Sequence, residues 1–590
     1  MVSSNFQERT FDAYAHIFFA DHYRRAWFNF WEPRWYGGFY ITTYPPLAHQ
    51  ILALLSFIIG DLEYSYQVLT FLLMITLPIA VYGFSRIFVS EEDAEKASII
   101  SVFCPSILTT TYIFGQFTTL FALVLLLLSA GFFNLYTETN KKLDLLIASG
   151  LLISSFCSHN FTTVFFAPIF LSTIILAYGI KGNKKMMKPI TLIVTICFII
   201  SAFILLPFLH FILSGQTQKP IPHASRTNFF TNWQGFAYFF LLMYGPIVFF
   251  LPLAVFRTIR SGDRKKYLLL AVASFLFILG LGGTTPIPAF LFGKYWELLT
   301  YDRFSLWSTI MFLPLLASTS SETLRNGRSI LSRFNILFLL LIIFSSIICG
   351  VSFRANGLYL PRKIDLTPLI EFLNADENWK WRYLTLGFGG AQLAKLSSSV
   401  KATTVDGFYV WARSDPILRN SGIETLDGAK YWKNGLEVLN EVLSNSLKYK
   451  IKFVFCNDPF YYDILRKNGF SLLFSQENTR DYRLGGVTIW VNNKPVPKLS
   501  EEEFHIHEKI SINNYLWGIL PPLIFLITLF LLGLRIYYFK SRNLTTQFSF
   551  LINENTWKNI VLTKKALMHK IYFGSSIFTP ASVILALHNP

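Results

Sequence analysis

Charge is scarce in this chain. Asp, Glu, Lys and Arg make up only 15% of its 590 residues, against about 25% in an ordinary soluble protein. Cysteine is scarcer still, with five residues: Cys104, Cys157, Cys197, Cys349 and Cys456. No two of them form a C-x-x-C pair, which argues against a structural zinc or iron–sulfur site. Four lie in or beside apolar runs and read as small hydrophobes. Residues 1–10 are polar and show no signal-peptide pattern. Acids are outnumbered, 35 against 52 Lys and Arg, for a net charge of +17. That excess does not require nucleic acid. The chain is 53% apolar, and its repeated apolar runs of about 18 or more residues mark an integral membrane protein. There Lys and Arg gather in cytoplasmic loops and face anionic lipid.

The apolar runs predict about 11 spans, at 64–89, 97–113, 116–136, 143–157, 161–180, 189–213, 235–256, 267–283, 303–318, 335–353 and 514–538. Segment 46–60 is short for a span and fits an interfacial helix. Basic clusters fall on alternate loops. They are Lys181, Lys184, Lys185 and Lys188; Arg257, Arg260, Arg264, Lys265 and Lys266; Arg325, Arg328 and Arg333; and Lys540 with Arg542. One orientation makes them all cytoplasmic. The opposite side then receives residues 1–45, the Tyr112–Gln116 turn, Ser158–Asn160, loops 214–234 and 284–302, and the large segment 354–512. An outside N-terminus with an odd number of spans leads to the expectation that a first span is missing.

Segment 354–512 has ordinary soluble composition. Trp381–Leu386, Lys450–Phe455 and Gly486–Val491 read as strands, and Leu436–Leu443 and Tyr461–Lys467 as helices. The predicted fold is therefore mainly α: a polytopic membrane protein with a small extracytoplasmic α/β or α+β domain before the last span. The expected domains are a catalytic loop at 1–45, a membrane core at 46–353, the soluble domain at 354–512, a last helix at 513–539 and a cytoplasmic tail at 540–590.

Sidedness selects the residues that could carry chemistry, because charge at a membrane face is costly to desolvate. Phe11–Gln50 holds Asp12, His16, Asp21, His22, Arg24, Arg25, Glu32 and Arg34 among the aromatics Trp27, Trp31, Trp35 and Tyr36. His159 ends a span, Gln116 ends a turn, and His223 and Arg226 lie in loop 214–234. Lys294, Glu297, Asp302 and Arg303 lead into another span. A carboxylate among several cations, facing outward, suits a phosphate-bearing substrate. Asp12 and His16 are four apart, so they share a face if helical. That spacing fits a base with its orienting partner, a metal pair or a plain helix face. Asp302 could equally cap a helix beside a snorkelling Arg303. Tyr44-Pro45-Pro46-Leu47 is locally stiff, since proline fixes its own φ and extends the residue before it. The Trp and Tyr cluster reads as an interfacial belt or as a stacking surface for sugar.

These residues together resemble the first external loop of the GT-C membrane glycosyltransferases. The resemblance is nearest to the 6-pyruvoyl-tetrahydropterin-synthase-related membrane proteins, a name that does not imply pterin chemistry. It rests on Asp12…His16, Arg34-Trp35-Tyr36-Gly37-Gly38 and Tyr44-Pro45-Pro46-Leu47, with echoes at Phe114–Phe117, Ser158–Asn160 and Asp302–Leu306. It spans roughly residues 11–350. It implies transfer of a sugar from a polyprenyl-phosphate carrier to an extracytoplasmic glycan or protein acceptor. Asp12 would be the base, and His16, Arg34, Trp35, Tyr44, Gln116, His159, Arg226, Lys294, Asp302 and Arg303 would bind substrate or phosphate. The family normally has a span before this loop. The chain departs from the oligosaccharyltransferase branch twice. Tyr112–Gln116 lacks an acid, and 354–512 lacks a W-W-D-Y-G motif. No organic cofactor is implied, and a divalent metal is an option that the acid-free turn weighs against. Two other readings stay open: a flippase for a lipid-linked glycan, and a non-catalytic membrane protein with a binding ectodomain.

Overall fold

The computed structural model of the protein describes residues 5–180, 182, 184–214, 218–325, 333–354, 363–476, 486–504 and 511–540. The expected cytoplasmic tail lies outside the described residues beyond Lys540. The chain forms two compact units, 1–529 and 530–590, and the first holds the fold and site described here.

Helices stand where the apolar runs predict spans. The early ones are α1 (Ala13–Ala26), α2 (Leu47–Ile59), α3 (Leu62–Ser85), α4 (Glu91–Val102), α5 (Pro105–Thr109), α6 (Phe117–Thr139), α7 (Lys142–Phe156) and α8 (Ala167–Ile180). Among the described residues, seven helical stretches are long and apolar enough to cross a membrane. The runs at 143–157, 267–283, 303–318 and 335–353 are also helical. α6 is central, with 89% of its apolar window buried. It packs against α3 and α7. Ser129 donates to the Ala148 carbonyl (2.8 Å) and Ser155 to the Ala122 carbonyl (2.8 Å), so small hydroxyl residues stitch α6 to α7.

The span predicted at 97–113 is interrupted. Pro105 begins α5, where its missing N–H costs nothing. A π-helical turn, Thr110–Phe114, then ends at Gly115 with φ +70°. Such turns often accompany functional sites.

Residues 1–45 differ from the expected loop. Most of α1 is buried, from Ala13 to Tyr23. It packs against α2 on one side and the helix Gly390–Ser399 on another. A helix covered all round shows no single apolar stripe, which is why its pattern reads ambiguously. After it come two-residue strands β1 (Trp31–Glu32) and β2 (Phe39–Tyr40), paired antiparallel. Gly38, at φ +120°, closes the hairpin, and a Cβ there would stand 1.8 Å from the Trp31 ring.

The soluble part carries a four-stranded mixed sheet in the order β3-β4-β6-β5. Its strands are β3 (Arg382–Leu386), β4 (Ile451–Cys456), β5 (Phe470–Gln476) and β6 (Val487–Asn492). β3 and β4 are parallel, and the other pairs are antiparallel. Tyr383, Phe453, Phe455 and Ile489 meet Leu369, Leu373 and Leu396 in its core. Three strands and both helices stand within a residue or so of expectation. β5 is the addition.

Candidate functional site

Asp12 is placed by backbone hydrogen bonds between the N-terminal segment and the Tyr112–Gln116 turn. The Phe11 N–H donates to the Ile113 carbonyl (3.1 Å) and the Asp12 N–H to the Phe114 carbonyl (2.9 Å). Gly115 permits this approach, since a Cβ there would lie 2.7 Å from Thr10 Oγ1 and 2.9 Å from the Ala13 nitrogen. Asp12 precedes α1, but its carboxylate caps no helical N–H. It is only half-buried by solvent access. Even so, burial is the largest cause that lifts its pKa from 3.8 to about 7. The Arg303 charge opposes the rise, and Glu424 and Asp302 add to it.

Arg303 sits across from Asp12 at the start of the helix Asp302–Arg325. Its guanidinium stands over the Phe161 ring (5.2 Å to the centroid) and donates to Thr300 Oγ1. Its Nε has no hydrogen-bond partner. The Arg303 charge reaches Asp12, Tyr44, His16, His159, His223 and Tyr409. One cation thus lies within reach of groups from five separate stretches of sequence. Beside it, Gln116 Nε2 donates to Asp302 Oδ2 (2.6 Å). Both residues are buried, and Gln116 Oε1 and Asp302 Oδ1 have no partners. The Tyr112–Gln116 turn therefore meets the start of the helix Asp302–Arg325 through an amide.

Neutral imidazoles and a tyrosine form one wall. His16 Nδ1 and His49 Nε2 share a hydrogen bond of 3.1 Å. Burial, with the Arg303 charge, holds His16 down at about 3. His159 Nδ1 accepts from the Thr162 N–H (3.2 Å), so its proton sits on Nε2, facing Thr119 Oγ1 at 3.3 Å. Burial, then Arg303, His16 and His49, keeps His159 well below the usual histidine range. The Tyr44 hydroxyl pairs with Thr118 Oγ1 (2.6 Å), and its ring stands 5.1 Å from His49 and 5.5 Å from Tyr409. The stiff Tyr-Pro-Pro turn thus aims Tyr44 into the wall.

Other predicted residues lie in different surroundings. Arg34 is buried in an ionic cluster. Its Nε and Nη2 donate to Glu32 (2.8 and 2.6 Å) and its Nη1 to Asp21 (2.5 Å), while Cζ lies 4.4 Å from the Phe18 ring centroid. Burial would raise Glu32, but Arg34 and His22 outweigh it and hold that carboxyl far below the usual range. Trp35 is fully buried and stacks on Phe18 at 3.7 Å. The carbonyl of Arg34 accepts from the Thr404 N–H (2.9 Å), and the Tyr36 N–H donates to the Asp406 carbonyl (3.2 Å). This strip seats the soluble part. Arg226 donates to the carbonyls of Glu297 and Ile221, and its charge reaches His223, which in turn feels Asp302. Lys294 is exposed over Tyr295 (5.2 Å).

Among the described residues, no three His, Cys, Asp or Glu side chains are grouped so as to hold a metal ion.

A family model described as 6-pyruvoyl-tetrahydropterin synthase related domain, a membrane protein, matches residues 41–358, more than half of the chain. The chain belongs to this family. No curated protein sequence matches it. Among solved structures, this family member is similar to the apo oligosaccharyltransferase of Archaeoglobus fulgidus. The identity is 13%, with 84% of this chain and 73% of that chain covered, at a TM-score of 0.50. It is also similar to apo ArnT from Cupriavidus metallidurans. There the identity is 8%, with 83% and 95% covered, at a TM-score of 0.50. At these identities the likeness speaks to the fold, which is that of the GT-C membrane glycosyltransferases.

Sequence reasoning did not single out His49 or Glu424. His49 carries a signal in hindsight: His49-Gln50 is a polar pair in an otherwise apolar short helix. Glu424 carries none, being one acid in an ordinary loop far along the chain.

Proposed function

We propose that this family member is a membrane glycosyltransferase that moves a sugar from a polyprenyl-phosphate donor to an extracytoplasmic acceptor. The observation that carries the reading is that the Asp12 carboxylate lies within electrostatic reach of the Arg303 guanidinium, which also reaches Tyr44, His16 and His159. The GT-C fold makes such a donor the natural candidate. In this reading residues 1–45 and the soluble part at 354–512 face outward.

The acceptor hydroxyl oxygen attacks the anomeric carbon of the donor sugar. Its proton passes to Asp12, and the bond from that carbon to the phosphate oxygen breaks. The electron pair leaves on the carrier phosphate, and configuration at the carbon inverts. A base that titrates near 7 is matched to neutral pH, and such proton transfer is worth about 10²–10⁴-fold. Arg303, with one nitrogen unengaged, offers charge and a donor to the leaving phosphate. His16, His49 and His159, kept neutral, orient groups by hydrogen bonds and add no competing charge. Tyr44 and Tyr409 supply ring faces for the sugar, and Asp302 is held in place by Gln116.

The test is turnover by purified protein in liposomes. A polyprenyl-phosphate hexose labelled in the sugar is supplied, and free polyprenyl phosphate is followed by mass spectrometry. Turnover that is lost in a folded Asp12→Asn variant supports the reading. Turnover that survives in that variant removes Asp12 as base.

A further inference from the structure

Where the soluble part meets α1, a cavity of about 350 Å³ is lined by Arg25, Asn374, Trp379, Ser399, Val400 and Lys401. It lies apart from the groups around Asp12. Arg25 stands near the far end of α1 from Asp12, about 20 Å along the helix at a rise of about 1.5 Å per residue. The helices Thr367–Asn374 and Gly390–Ser399 both stop at the cavity, and Trp379 stands in the turn between the first of them and β3.

The donors of this lining are unspent. Arg25 gives Nε to Asp21 (2.7 Å) and Nη2 to the Ser398 carbonyl (2.9 Å), which fixes the guanidinium and leaves Nη1 without a partner among the described residues. No described group engages Lys401 Nζ, the Asn374 amide or Trp379 Nε1. No carboxylate lines the cavity among the described residues, and nearby Glu377 is taken up by Lys380 and by Lys498 (2.9 Å). Asp21 and Glu32 offset Arg25 and Arg34, so the surplus is the single charge of Lys401. One surplus charge matches one carboxylate better than a phosphate dianion. Trp379, half-buried beside Phe504 (5.2 Å), borders the cavity with its indole. The two helix ends add acceptors, since last-turn carbonyls have no partner within their helix.

We propose that this cavity is a binding site for an acidic sugar, a hexuronic-acid unit of an extracytoplasmic glycan. Its carboxylate meets Lys401 and Arg25 Nη1, which are charge-assisted donors. Its hydroxyls pair with the Asn374 amide and with last-turn carbonyls, and its ring lies against the Trp379 indole. A cavity of about 350 Å³ is of ligand size. The choice of a glycan rests on the glycosyltransferase reading above, in which the acceptor is the glycan at hand. The cavity then holds a distal unit of the acceptor while a unit further along reaches Asp12.

The test is saturation-transfer NMR on the full chain in phosphatidylcholine nanodiscs. Glucuronic acid and its short oligomers are the probes, and glucose oligomers are the neutral controls. The wild-type protein binds the acidic sugar, and the neutral one at least about tenfold more weakly, as expected for a hydrogen bond between charged groups. Lys401→Gln removes a side chain with no described partner, so the fold stands, and its Kd for the acidic sugar rises about tenfold. Trp379→Leu weakens binding as well. No binding of the acidic sugar by the wild type, equal binding of the neutral sugar, or an unchanged Kd in Lys401→Gln overturns the site. Saturation by phosphatidylglycerol built into the discs, with no sugar acid bound, assigns the cavity to lipid headgroups and overturns it too. Binding is read without turnover, so the two readings fail separately. Sugar-acid binding by a protein that transfers nothing supports the site and refutes the transferase reading, whereas turnover without sugar-acid binding refutes the site alone.

Discussion

Arg34 offers a sharp test of what in the first loop is scaffold. Its guanidinium is 4% exposed and makes hydrogen bonds to two carboxylates, Glu32 and Asp21, which are 1% and 7% exposed. Removing the guanidinium leaves Glu32 with only His22 (3.0 Å) and Asp21 with only the exposed Arg25 (2.7 Å) as partners. Breaking a buried pair in this way costs about 3–5 kcal/mol. The remaining partners, His22 and Arg25, soften the loss, so Arg34→Met belongs at the lower end. Arg34→Lys keeps charge but loses the two-pronged geometry, and an intermediate loss follows. The compensated variant Asp21→Asn/Glu32→Gln/Arg34→Met regains much of the stability, because no buried charge is left. The assay is thermal unfolding in detergent, followed by tryptophan fluorescence. A melting point for Arg34→Met equal to wild type refutes the reasoning. So does an Arg34→Lys protein that melts like wild type while losing donor binding, since that would return Arg34 to the phosphate-binding role its sequence position suggested.

Three further predictions concern Asp12 and Gly115, which lets the Tyr112–Gln116 turn approach it. Transfer falls as pH drops below about 7, with a slope of one proton, because the base must be ionised and its pKa is lifted to about 7. Stability moves in the opposite sense. The folded state holds the Asp12 proton between about pH 4 and 7 while the unfolded state has released it, so this group's contribution falls as pH rises through that window. Asp12→Asn therefore melts higher than wild type at pH 8 and equal to it near pH 4, which thermal scans at the two values check. Gly115→Ala forces a side chain into a φ of +70° and against Thr10. It displaces Asp12 from the second loop, and turnover drops about 10²-fold, as small misplacements do, with expression and melting point measured alongside.

The membrane part of the fold was legible because its signal is local. Long apolar runs name their own spans. The strands Arg382–Leu386, Ile451–Cys456 and Val487–Asn492 were legible for a similar reason, being short apolar runs rich in β-branched and aromatic residues. Phe470–Gln476 was not, because Leu472, Leu473 and Phe474 stand in a row without alternation, and Leu472 and Leu473 are more than half exposed. α1 was hidden for the opposite reason, being covered on several sides. At the site, Asp12 stood out through its motif, and Arg303 through its position before a span. Whether they meet could not be read, since the meeting depends on Gly115, on the π-helical turn and on a helix start hundreds of residues away.

The central claim is that Asp12 and Arg303 face each other across the place where a lipid-borne phosphate is cleaved from its sugar. The most direct measurement is a cryo-EM structure of the full chain in a nanodisc with polyprenyl phosphate bound. The account predicts the phosphate within hydrogen-bonding distance of the Arg303 guanidinium, with the Asp12 carboxylate opening onto the same cavity from the other side. A phosphate seated at the exposed Lys294, with the space between Asp12 and Arg303 closed by protein side chains, would contradict it.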